Sequence, residues 1–165
     1  MTNNTVTLTP VANDQQLLIR NLLQLYLYDF TEFTDVTRDN DGLFSYPYLD
    51  HYWREPDRYP FLIAKAGEPA GFALVRSVLD PATNKSAFEL AEFFVLRMFR
   101  GQKVGHEAVQ LLCDLLPGNW IVKVLGTNLP AYHFWQSALE HFNPTHELED
   151  SGKVKSSNHV FTFTY

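Results

Sequence analysis

At 165 residues, 45% hydrophobic and only 19% charged, the chain carries enough apolar surface for one compact domain over residues 1–165 and too much for a disordered polymer. Its formal charge of −6 leaves no basic footprint for a phosphate backbone, which excludes nucleic acid as a principal partner. A single cysteine, Cys113, excludes an intrachain disulfide and a cysteine-based zinc site; the polar start and the absence of a run of ~20 apolar residues point to a cytoplasmic protein with no membrane partner.

Val6, Leu8 and Val11 predict a short first strand, after which Asn13 and Gln16 stand at capping-box spacing before a helix. Ile19, Leu22, Leu23, Tyr26, Leu27 and Phe30 give that helix one broad apolar face. Between Thr31 and Pro47 the pattern lapses into an acidic loop, and Tyr48 to Arg54 predicts a second short helix ending before Pro56. The apolar runs Phe61–Ala64 and Phe72–Val75 flank Gly67 and Gly71 and predict an antiparallel hairpin. A turn at Pro81 to Asn84 leads to Phe88–Leu96, apolar enough for a central strand covered on both faces. A helix from about Lys103 buries Val104, Ala108, Leu111, Leu112 and Leu115 and stops at Pro117-Gly118; a strand follows at Trp120–Val124. Pro130 sits near the first position of a last helix whose Ala131, Phe134, Trp135, Ala138 and Phe142 share a face, and the β-prone His159–Tyr165 predicts a final strand. This order predicts an α/β (α+β) protein, a mixed sheet with helices packed on it.

The segment that speaks of chemistry runs from Phe93 to His106, an apolar strand feeding through a basic, glycine-containing turn into an amphipathic helix. Such a turn aims free backbone N–H groups and a helix amino terminus at one point, as a pyrophosphate requires. Arg97, Arg100 and Lys103 concentrate positive charge there in a chain that is acidic overall. Taken from the residues alone, phosphate binding and a solvated basic loop stand about even.

Arg100-Gly101-Gln102-Lys103-Val104-Gly105, with Val95 before it, resembles the acyl-CoA-binding motif of the GCN5-related N-acetyltransferases, Arg/Gln-x-x-Gly-x-Gly/Ala after a Val-containing strand. Asn128-Leu129-Pro130-Ala131-Tyr132-His133-Phe134-Trp135 is similar to the family's second signature, an Asn, an Ala and then an aromatic pair in the last helix. The resemblance covers about Phe61 to Phe142, and its Pro-Gly-x-Trp and Asn-x-Pro-Ala-x-x-Phe-Trp runs resemble a bacterial branch of predicted acetyltransferases. One departure is Lys103, which stands where the family has its first glycine; a lysine in a helical backbone conformation would still present its N–H, and its ammonium would pair with a CoA phosphate or simply face solvent.

The resemblance implies a GNAT-like acyl-CoA N-acyltransferase fold, with a mostly antiparallel twisted sheet of about six or seven strands and about four helices. It implies acetyl-CoA as cosubstrate, no metal, and direct attack on the thioester by an amine. Backbone groups of Phe94, Val95 and Leu96 would hold the pantetheine. Arg97, Arg100, Gly101, Gln102, Lys103, Val104, Gly105 and His106 would cradle the pyrophosphate, with Asn128, Ala131 and Trp135 beside the cofactor. For the base, Glu92 is favoured and then Glu89, because a carboxylate in an apolar strand has a raised pKa; on a regular strand, residues three apart face opposite ways. Trp135 occupies the position of the family's tyrosine acid, and indole delivers no proton at neutral pH, so Tyr132, one turn earlier, or water would protonate the thiolate.

Tyr26, Tyr28, Asp29, Tyr46, Tyr48, His51 and Tyr52 form an aromatic-polar set on segments expected to line the acceptor cleft, Tyr28, Asp29, Tyr46 and Tyr52 above all, although core packing explains Tyr26 equally well. The acidic loop Asp35–Asp41 either attracts a cationic acceptor or is merely solvated. The acceptor is a small-molecule or peptide amine, and the oligomeric state is left open, a homodimer included. Other chemistries fail on their residues. His106-Glu107 lacks the second histidine of a zinc-protease helix, Asp39-x-Asp41-Gly42 lacks the terminal carboxylates of a calcium loop, and Cys113 sits within an apolar helical stretch. The reading from a different class is a non-catalytic acyl-CoA-binding or regulatory module on the same fold, which Lys103 and Trp135 would favour.

Overall fold

A computed structural model describes residues 5–150 and 157–165. Seven strands form one sheet in the order β1-β2-β3-β4-β5-β7-β6, comprising β1 (Val6–Pro10), β2 (Arg58–Lys65), β3 (Glu68–Leu79), β4 (Ser86–Val95), β5 (Asn119–Val124), β6 (Thr145–Glu149) and β7 (Asn158–Thr164). Every neighbouring pair is antiparallel except β4 and β5. The helices are α1 (Gln16–Phe30), α2 (Val104–Leu115) and α3 (Leu129–Leu139). No helix among the described residues is long and apolar enough to cross a membrane.

The period of the apolar residues explains the layers. Ile19, Leu22, Leu23 and Leu27 recur on one side of α1 and are buried against Phe72, Leu74 and Phe94, which point to one face of the sheet. Alternate residues of the same strands, Ala73, Val75 and Leu90, point to the other face and meet Val109 and Leu112 of α2 and Ala138 and Leu139 of α3. β4 is therefore covered on both sides, as its apolar run predicts. The β2–β3 hairpin closes through Ala66 and Gly67, both at positive φ (+52° and +84°), the two-residue turn whose twist matches antiparallel strands.

Five features differ from the sequence reading, the first being that Leu115, expected on the buried face of α2, is 52% exposed at its last turn. The segment Tyr48 to Arg54 forms only a 3-10 turn over Leu49–Trp53, leaving three α-helices among the described residues where about four are expected. Asn13 begins a 3-10 turn and its side chain accepts from the Gln16 side chain, so no capping box forms between Asn13 and a helical N–H. β6, with all five residues exposed, adds an edge strand for which the sequence carries no apolar signal. Lys103 is not helical: it precedes α2 in the left-handed conformation, at φ +64° and ψ 0°.

Candidate functional site

β4 and β5 pair only over Phe88–Leu90 and Trp120–Val122, although β4 continues to Val95 and β5 to Val124. Beyond Leu90 the two parallel strands share no register, and two adjoining cavities occupy that region, of about 530 Å³ and about 410 Å³. Tyr26, Phe30, Phe93, Asn128 and Ala131 line both cavities and so join them into one cleft through the sheet.

The larger cavity lies against the glycine turn. Arg97, Arg100, Gly101, Lys103, Val104, Gly105 and His106 line it, together with Phe94 and Val95 of β4. Glu107 N donates the first helical hydrogen bond, to Lys103 O at 3.0 Å, so the N–H groups of Val104, Gly105 and His106 belong to the unsatisfied first turn of α2. Gly101 is left-handed at φ +73° with nothing near the place a Cβ would take, and at Gly105 a Cβ would lie 2.8 Å from the Phe134 ring. The two positions thus differ in kind: one needs a rare backbone conformation, the other needs close packing of α2 against α3. Lys103, at the position of the resembled motif's first glycine, is also left-handed, with its side chain exposed.

Asp29 of α1 fixes the arginines. It accepts from Arg97 Nη2 and Arg100 Nη2, each at 2.7 Å, while Arg100 Nε donates to Val95 O at 2.8 Å. Partial burial works to raise the Asp29 pKa, but the hydrogen bonds and charges of the two arginines together hold it below the ordinary carboxylate value. Gln102 points elsewhere: its amide donates to Met98 O at 2.7 Å and accepts from buried Lys65 at 2.6 Å, a brace under the turn. Gln102 and Leu96 are absent from the cavity walls. Asn128 caps α3 by accepting from Ala131 N at 3.0 Å and, like Ala131, faces both cavities.

The smaller cavity holds Glu92. Its Oε2 accepts from the Tyr26 hydroxyl at 2.5 Å and its Oε1 from the Tyr46 hydroxyl at 2.9 Å. Burial raises the Glu92 pKa above the ordinary value, and the two phenols and Arg76 only partly counter it. Burial and then the Glu92 charge raise the pKa of both tyrosines, which stay protonated as donors. The register slips by one residue at Ala91, so that Leu74 faces Glu92 while Val75 faces Leu90. Glu89 consequently lies opposite Arg76 and Glu92 opposite Leu74, on the same side of the sheet. A regular strand would put them on opposite faces; the bulge overturns that expectation. Glu89 lines neither cavity and is bound by Arg76 Nη2 at 3.1 and 3.0 Å.

Other expected residues fall outside the cleft. Tyr132 stacks on His159 at 4.1 Å between centroids, on the α3 side of β7, and lines neither cavity. Tyr28 is 64% exposed and also lies off both cavity walls, whereas Tyr52 is buried beneath Arg58. Trp135 is buried against Phe93 and reaches only the smaller cavity. Cys113 is buried, its thiol pushed up to about 12 by desolvation. Sequence reasoning undervalued Tyr26, whose helical spacing suits core packing, and passed over Phe93 and Lys123.

Comparison with known proteins agrees with this geometry. A family model described as Acetyltransferase (GNAT) family matches residues 20–140. No curated protein matches the chain. Among solved structures, an acetyltransferase from Thermus thermophilus superposes with a TM-score of 0.71 at 16% identity, covering 100% of both chains. Arabidopsis thaliana NAA60 in complex with acetyl-CoA gives 0.63 at 11% identity, covering 98% of each chain. Arabidopsis thaliana Naa50 in complex with a bisubstrate analogue gives 0.64 at 13% identity, covering 97% of this chain and 99% of that one. At these identities the superpositions speak for the fold.

Proposed function

This chain belongs to the acetyltransferase (GNAT) family, and from that premise we propose that it moves the acetyl group of acetyl-CoA onto a primary amine by direct attack. The observation that carries the reading is the single cleft through the parted strands. One end is walled by a cationic, N–H-rich turn and the other by a carboxylate whose pKa burial raises. The turn fits acetyl-CoA: Arg100, Gly101 and the first N–H groups of α2 would hold its phosphates, and the backbone of Phe94 and Val95 its pantetheine.

Glu92 would take a proton from the acceptor ammonium, leaving nitrogen free to attack the thioester carbonyl carbon. A carbon–nitrogen bond forms, the carbon–sulfur bond breaks, and a second amine proton passes through water to the departing thiolate. Water is assigned this last transfer because Tyr132 faces His159 and lines neither cavity. Tyr26 and Tyr46 hold the two Glu92 oxygens in place, so the base is fixed before the amine arrives.

The test is thiol release from acetyl-CoA in the presence of an amine panel. Glu92→Gln should lower turnover by about two to four orders of magnitude, the usual contribution of a positioned base. With the wild type, the rate should rise with pH as Glu92 ionises. Because the Tyr46 bond favours the carboxylate, Tyr46→Phe should move that limb to higher pH. Full activity in Glu92→Gln would remove Glu92 from the mechanism.

A further inference from the structure

The two ends of the cleft carry opposite charge. Arg97, Arg100 and Lys103 stand on the larger cavity beside Asp29, which pairs with both arginines, and Glu32, so that its walls keep a net positive charge of about one. On the smaller one the acids are Glu92, in the wall, and Asp35, on the exposed loop after α1. Lys123 is the one Lys or Arg among its described lining residues, and it is engaged by Glu149 at 3.0 and 3.3 Å. A ligand carboxylate entering here meets no unpaired Lys or Arg, whereas a ligand cation meets Asp35. Phenyl and phenol rings of Phe30, Phe93 and Tyr46 supply apolar faces for a hydrocarbon chain, with a quadrupole that suits positive charge.

We propose that the acceptor is a short aliphatic amine bearing a second cationic centre, its reacting nitrogen at Glu92 and its other ammonium at Asp35. The assignment rests on the transferase reading above and narrows its substrate. The reacting nitrogen loses one proton to Glu92, bonds to the acetyl carbon and releases its second proton to the thiolate. The distal ammonium stays charged throughout, so Asp35 acts on binding and not on the chemical step. An occupant of about 410 Å³ is a small molecule, which sets a folded protein surface aside as the group that fills this cavity.

Three amines built on a four-carbon skeleton separate the possibilities: putrescine, butylamine and γ-aminobutyrate, whose second groups are cationic, absent and anionic. Thiol release from acetyl-CoA by the full chain should show kcat/KM for putrescine above butylamine by up to about fivefold, the upper worth of an exposed ion pair near 1 kcal/mol. γ-Aminobutyrate should be the poorest. The preference should shrink as salt is added. Asp35→Asn should bring putrescine down to butylamine through KM, with kcat for putrescine little changed. Equal use of putrescine and butylamine, or a putrescine preference that survives Asp35→Asn, overturns the assignment while leaving the transferase reading intact. No turnover with any of the three overturns it too, and silence across a broad amine library, peptides included, removes the transferase reading with it.

Discussion

Lys103 shows how one residue can carry a cost that the sequence conceals. An L side chain at φ +64° is strained by about 1–2 kcal/mol relative to the right-handed region, and glycine would relieve that strain. Glycine loses more entropy on folding, about 0.5–1 kcal/mol, so the net gain from Lys103→Gly should lie between about 0 and 1.5 kcal/mol. Thermal unfolding of the variant should therefore show a Tm raised by up to a few degrees. A lowered Tm would mean that the exposed lysine side chain more than makes up the difference through its own contacts. If its ammonium also meets a CoA phosphate, the same variant binds acetyl-CoA more weakly while being more stable, a separation of stability from function that neither effect alone would produce.

Among the elements, α1 is the one whose role the sequence understates. Its apolar stripe is legible from spacing alone, because Ile19, Leu22, Leu23 and Leu27 repeat at helical period and are buried. Its functional edge is legible only as candidates, because the partners of Tyr26 and Asp29 lie more than sixty positions away, at Glu92, Arg97 and Arg100. The glycine turn and the Asn128 cap could be found in sequence since each is a local device of a few neighbouring residues. The bulge at Ala91 could not, since one extra residue in a strand leaves an almost intact apolar pattern while reversing the face on which Glu89 and Glu92 stand relative to each other. β6 escaped for the opposite reason: a fully exposed edge strand has no buried face to write into its sequence. Asp29 gives a test of the α1 linkage. Its folded pKa is depressed, so its stabilising contribution is present above the unfolded carboxylate value of about 3.9 and disappears as the pH falls through the folded value. Asp29→Asn should thus unfold at a lower temperature than the wild type at neutral pH, and the gap should close in acid. A gap independent of pH would mean that Asp29 contributes through shape and not through its charge.

Over the whole molecule, the architecture converts a topological feature into a site. The sheet is antiparallel except at its centre, and the one parallel pair separates after three residues on each strand. What opens there is bounded by both layers: α1 closes one side and the amino-terminal ends of α2 and α3 meet the other. The two cavities meet at Tyr26, Phe30, Phe93, Asn128 and Ala131, the residues that both share, and under the proposed function the two substrates would meet there. Under the proposed function, the turn with its arginines would receive the anionic cosubstrate and the end with Glu92 and Asp35 the cationic amine. Calorimetric titration of acetyl-CoA into the full chain, repeated with Arg100→Ala and Glu92→Gln, tests this division most directly. The account predicts micromolar-range binding, on the order of −8 kcal/mol, weakened by Arg100→Ala and retained in Glu92→Gln. No binding to the wild-type chain, or equal loss in both variants, would contradict it.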